Sequence, residues 1–144
     1  MSHVREQLRK AVVTAVTGLT TTGSRVFSSR VDPITPSDCP CLIVTSTGDN
    51  VNPESVMSGY MQRRETRIQI DAYVNGVTGF DDELDDICLE VETAIASSSN
   101  SLVKGLYYQG ARIEFDRGEQ SIGKGSMVFI KDLFTEATAP QTAI

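Results

Sequence analysis

An alternation of apolar and polar residues over residues 65–74 limits most strongly how this chain can fold. The even positions are Thr66, Ile68, Ile70, Ala72 and Val74, and the odd positions are Glu65, Arg67, Gln69, Asp71 and Tyr73. Successive side chains of a β-strand point to opposite faces, so this period of two predicts a long strand with one covered face. Such a strand needs a neighbouring layer to bury its apolar side.

Two amphipathic helices can provide that layer. The first is predicted at about residues 3–17, where apolar residues recur at helical spacing, with Ser2 as a candidate N-cap and Gly18 as a stop. The second is predicted from Phe80 to about Ala96, with Asp81 or Thr78 as its cap.

The remaining segments predict shorter strands and several connections. Residues 25–27, 41–46, 111–116 and 127–137 have the composition of strands. Residues 32–40 are a proline-bearing loop, residues 47–59 a long polar loop, and residues 117–125 a turn-rich connection.

The order of these elements predicts an α+β fold. We expect a mixed, mostly antiparallel sheet with the two main helices packed on one face. A chain of 144 residues has the size of one domain, which we place at residues 1–137, with a flexible C-terminal tail at residues 138–144.

The charge balance argues against nucleic acid and membranes as partners. The chain carries 13 basic and 19 acidic residues, a formal net charge of -6, whereas both kinds of partner attract basic surfaces. It contains no apolar run of membrane-spanning length and no secretion signal, so we expect synthesis in the cytoplasm and partners that are proteins.

The sequence predicts no catalytic, cofactor or metal site. Its one histidine, His3, lies near the N-terminus, and Cys39, Cys41 and Cys88 are an odd number without metal-ligand spacing. The glycines of residues 118–125 precede a strand rather than a helix, which favours a turn over a phosphate loop. We therefore expect a chain that is not an enzyme.

Charge is segregated along the chain. Residues 81–92 contain seven carboxylates and no base, among them Asp82, Asp85 and Asp86, whereas Arg63, Arg64 and Arg67 form a basic cluster. Arginine pairs well with carboxylates at interfaces, so these six residues are candidates for contacts between subunits or with another protein. A solvated helix face and a strand edge protected by charge are the alternatives.

The order of elements resembles the tail terminator (minor tail protein U-like) family of lambda-type long-tailed phages. The likeness covers about residues 3–137. It includes the N-terminal helix, residues 25–30 leading through the proline loop into residues 39–44, the strand at residues 63–74, the acidic helix beginning at residues 80–85, and the closing strand at residues 127–135.

The resemblance implies a structural virion protein at the head-proximal end of the tail. Such a protein forms a hexameric ring that ends polymerisation of the major tail tube protein and provides the surface for the head-tail connector protein. A neck or head-completion protein and a small acidic cytoplasmic adaptor domain are the alternatives. None of these requires a cofactor, a membrane or specific nucleic-acid binding.

Overall fold

A computed structural model describes residues 2–30, 32–53, 61–75, 79–116 and 122–143, apart from the side chains of residues 52, 53 and 116. Its helices are α1 (Val4–Ala15) and α2 (Phe80–Ser97), with a short 3-10 turn at Pro36–Asp38. Its strands are β1 (Val26–Ser28), β2 (Cys41–Pro53), β3 (Met61–Asn75), β4 (Tyr107–Asp116) and β5 (Ile122–Glu136).

The five strands form one mixed sheet in the order β1-β2-β3-β5-β4. Strand β1 runs parallel to β2, and the other neighbours are antiparallel. Both helices contact the sheet and pack on the same face. The predicted α+β class and the two helices on one face are therefore confirmed.

The hydrophobic core lies between the sheet and the two helices. The even-numbered residues of β3 supply its floor, as their alternation predicted, together with odd-numbered residues of β5. Helix α1 buries Val4, Leu8 and Val12 against it, and α2 buries four apolar side chains one to two turns apart. We call this side of the sheet the covered face and the opposite side the open face.

Two glycines in β5 allow α2 to approach the sheet closely. A Cβ atom placed on Gly123 would lie 2.9 Å from Cδ2 of Phe80, and one on Gly125 would lie 3.4 Å from Cδ2 of Leu84. These glycines belong to a strand, not to a turn, so the expected connection at residues 117–125 is wrong for residues 122–125. Residues 117–121 lie outside the described residues.

Several strands are longer than the sequence indicated. The expected loop at residues 47–59 is wrong for residues 47–53, which continue β2. Residues 48–53 pair with residues 62–67 of β3. Backbone hydrogen bonds form this ladder without help from apolar side chains, which is why composition did not reveal it. Residues 54–59 lie outside the described residues.

Both helices begin differently from the prediction. His3, not Ser2, caps α1, and its Nδ1 atom accepts a hydrogen bond from the backbone N–H of Arg5 at 3.1 Å. Helix α2 is capped by Gly79 at φ 90°, a left-handed conformation that glycine adopts without strain. Thr78, one of the two expected caps, lies outside the described residues, and Asp81 is inside the first turn.

The C-terminal segment contacts α1. The carbonyl oxygens of Pro140 and Gln141 accept hydrogen bonds from the Val4 N–H at 3.0 Å and from Nε2 of Gln7 at 2.6 Å. Ala143 packs against the core. These contacts hold the segment beside the helix, while the flexibility expected for residues 138–144 stays a prediction.

Candidate functional site

The outer face of α2 carries the acidic residues that the sequence singled out. Asp82, Asp85 and Asp86 are all exposed, because α2 turns Leu84, Ile87 and two further apolar side chains toward the sheet. The three carboxylates lie within about two turns on one side of the helix. They form a single acidic surface directed away from the sheet.

The three arginines do not form one cluster, so that expectation is wrong. Arg63 and Arg67 have odd numbers and lie on the open face, whereas Arg64 lies on the covered face and is 9% exposed. The period of two along a strand separates neighbouring residues in this way. Arg63 and Arg67 therefore remain candidates for external contacts, and Arg64 acts inside the subunit.

Arg64 is held in a network beneath the N-terminus of α1. Its Nη1 atom lies 2.9 Å from Oδ2 of Asp49, and its Nε atom donates to Oγ1 of Thr135 at 3.1 Å. The second oxygen of Asp49 accepts a bond from Nη1 of Arg5 at 3.0 Å. The Asp49 carboxylate thus links α1, β2 and β3. It stabilises the half of the β2–β3 pair that lies beyond β1.

A shallow groove of about 510 Å³ crosses the open face between β3, β5 and β4. Arg67, Arg112 and Lys124 line it together with one carboxylate, Glu114, which lies 3.2 Å from Nε of Arg112. The groove therefore has an excess of positive charge, although the whole chain is acidic. We call it the open-face groove.

A second cavity, of about 620 Å³, lies where the proline loop meets the same face. Ile43, Tyr73 and Ile122 supply apolar surface, and Lys124 lies 5.8 Å from the centre of the Tyr73 ring. Burial raises the pKa of the Tyr73 hydroxyl despite the nearby ammonium group. This tyrosine is therefore a neutral hydrogen-bonding group at physiological pH.

Burial raises the pKa of all three thiols. The pKa of Cys41 rises to about 12. Because the thiolate is the nucleophile and metal ligand, all three cysteines are protonated and weak in both roles near neutral pH. They are small buried or half-buried side chains, as the sequence indicated for Cys41 and Cys88.

Metal-ligating side chains are dispersed in the part of the chain that the structure describes. There, no three residues of the histidine, cysteine, aspartate and glutamate types are grouped closely enough to hold a metal ion. Neither described helix is long and apolar enough to cross a membrane.

Sequence reasoning missed part of the open-face groove. The turn expected at residues 117–125 includes Lys124, and the candidate contact residues do not include Arg112. The signal was present, because Lys124, Ser126 and Val128 alternate with residues that face the core. Gly123 and Gly125 of β5 obscured this alternation, because glycines are typical of turns.

A scan of the chain against protein-family models and a search of curated proteins both returned no match. A function for this chain therefore has to be inferred from its own surfaces.

Proposed function

We propose that this chain is a structural virion protein that forms a ring on the head-proximal end of a phage tail tube. The ring ends polymerisation of the major tail tube protein and presents the surface that joins the tail to the head-tail connector protein. The mechanism is capping: the bound ring covers the surface to which another tube subunit would add. Its energy comes from contacts, so no catalytic group is needed.

One observation carries this proposal: the outer face of α2 and the open-face groove differ in charge. The outer face of α2 presents Asp82, Asp85 and Asp86. The open-face groove carries Arg67, Arg112 and Lys124 against one carboxylate, Glu114. A closed ring of identical subunits needs two different surfaces that fit each other. Opposite charge on opposite faces favours such head-to-tail contacts and selects the partner.

The fold agrees with the resemblance seen in the sequence. That family has a small α+β subunit with helices on one side of a sheet, and this chain has the same arrangement. The agreement is one of architecture, and one architecture can serve many functions. The charged faces therefore contribute more to the proposal than the fold does.

The test measures assembly and capping together. The purified chain is examined by solution mass and negative-stain microscopy, alone and mixed with the major tail tube protein of the same phage. We expect six-fold rings, or tubes whose ends are capped and stop growing. The unfolded variant Ile70→Asp at the same concentration is the control, because a charge at a fully buried site abolishes folding.

Three results would contradict the proposal. A chain that never associates with tube ends and leaves their growth unchanged is not a terminator. Binding to the head-tail connector without binding to the tube would identify the neck or head-completion protein instead. Binding to neither would favour the acidic adaptor domain.

A further inference from the structure

An exposed leucine interrupts the acidic outer face of α2. Leu89 is 65% exposed, the highest value among the large apolar side chains exposed in the described part of the chain. It follows Asp85 and Asp86 by one turn and Asp82 by two turns, on the same side of the helix. An apolar side chain beside a charged rim has the form of an interface anchor.

The open-face groove has the complementary form. Val128 and Gly110 lie at its middle, and Arg67, Arg112 and Lys124 surround them. The groove is large enough to accept an aliphatic side chain. Cations surround its apolar part, just as carboxylates surround Leu89 on α2. The charge of the groove lining, apart from Glu114, is thus opposite to that of the outer face of α2.

We infer that Leu89 of one copy seats in the open-face groove of a second copy, over Val128, with the α2 carboxylates paired to the groove cations. The inference rests on the proposed function, which makes the neighbour in the ring another copy of this chain. It replaces the expected arginine cluster with a surface in which Arg67 acts together with Arg112 and Lys124.

The spacing of the charges supports this seating. With Leu89 over Val128, Asp85 lies about 6 Å farther along the helix. Arg112, which is opposite Ser126, lies about 7 Å along the sheet in the direction of Lys124.

The next pair is more widely spaced but remains within reach. Asp82 lies about 10 Å from Leu89 along the helix, and Lys124 lies about 14 Å from Val128 along β5. The flexible four-carbon side chain of lysine can span the difference of about 4 Å. Two successive ion pairs can therefore form beside one apolar contact.

The geometry requires two copies and gives a directional contact. Helix α2 buries Leu84 and Ile87 on the covered face, so its outer side and the open-face groove lie on opposite sides of the molecule. No copy can fill its own groove with its own Leu89. Repetition of this contact builds a ring if the rotation closes.

The first test replaces the anchor. Leu89→Asp is expected to weaken self-association by about tenfold or more, measured by sedimentation, because it puts a charge into the apolar centre of the contact. Its matched control is Val51→Asp, which places the same charge at another exposed apolar residue, 40% exposed and part of neither surface. Thermal melting should show that both variants fold.

The second test reverses the charges in pairs. Lys124→Glu and Asp82→Lys should each weaken self-association, and the double variant should regain at least part of it, because the pair is restored with opposite sign. In the wild-type chain, zero-length coupling of carboxylates to amines should produce a covalent dimer. Mass spectrometry should locate its link between an α2 carboxylate and Lys124.

The outcomes separate this inference from the proposed function. Rings that form normally with Leu89→Asp, or dimer links that lie elsewhere, overturn the inference and leave the capping role standing. A wild-type chain that caps tubes while staying monomeric in every assay does the same. Assembly through Leu89 without any binding to tubes would support the inference and contradict the proposed function.

Discussion

The two faces of β3 and β5 differ although they are built from alternate residues of the same strands. On the covered face, Ile70 and Met127 are fully buried, whereas on the open face Arg67 and Lys124 line a charged groove. The pleat of the strand directs one set of residues to the core and the other to the open face, where Asp71 and Ile130 are also buried. Residue number therefore assigns each side chain to a face, and the exposure of each side chain decides whether it is available for external contacts.

The largest expected change in the free energy of unfolding comes from a substitution on the covered face. Ile70→Ala removes a fully buried side chain and should lower the free energy of unfolding by about 2–5 kcal/mol through lost burial and the cavity left behind. Ser126→Ala, on the open face of the adjacent strand, should change it by less than about 0.5 kcal/mol. Urea unfolding measures both, and equal costs would contradict the division between the faces.

A smaller effect concerns the ionic network on the covered face. Asp49→Ala leaves Arg64, whose side chain is 11% exposed, without its carboxylate, and should cost about 1–3 kcal/mol. Glu114→Gln is the matched control on the open face. It removes an ion pair whose side chains are 81% and 51% exposed, so we expect about 0–1 kcal/mol.

Hydrogen exchange sharpens this comparison. Loss of Asp49 should speed exchange of the amides in residues 45–51 more than those of residues 42–44, which have β1 as a second neighbour. If amide exchange accelerates equally along all of β2, the network does not act specifically on residues 45–51.

The smallest effect is a pH dependence at the edge of the covered face. Burial, followed by the charge of Arg5, lowers the pKa of His3 below its ordinary value of 6.5, and protonation removes the Nδ1 acceptor that caps α1. Below pH 6.5 the unfolded chain therefore binds more protons, so stability should fall as the pH drops from 6.5 toward the folded pKa.

This loss should stay below about 1 kcal/mol, the usual value of an N-cap. His3 is the only histidine, so its ring proton resonances give its pKa directly in a pH titration by NMR. His3→Asn keeps a capping acceptor and should flatten the dependence of the melting temperature between about pH 7.5 and 5.5. A folded pKa above 6.5 would contradict the prediction.

Particular residues show why some elements were predictable and others were not. Helix α2 and the alternating part of β3 were found because burial on one side leaves a period in the sequence. Residues 47–53 of β2 were not predicted as a strand because backbone hydrogen bonds stabilise them and no buried apolar period marks them. Val51, for example, is exposed. Gly123 and Gly125 indicated a turn, but they provide room for Phe80 and Leu84.

The candidate surfaces were predictable in part. The acids of α2 were found because helical spacing alone places Asp82, Asp85 and Asp86 outside the core. Side chains alternate between the two faces of a strand, so Arg64 must lie on the face opposite to Arg63 and Arg67. This rule, applied to the sequence, would have shown that the three arginines do not form one cluster. Leu89 was harder to identify, because it is a single apolar residue on the acidic outer side of α2.

The sequence by itself determined which side chains lie on each face of each element, because that depends only on local periods of 2 and 3.6 residues. It also determined that charge is divided between an acidic helix and basic strand positions. Only the tertiary structure decided that β5 lies between β3 and β4, which brings Arg67, Lys124 and Arg112 around one groove. Strand order and register come from pairing between distant segments, which local periodicity does not encode.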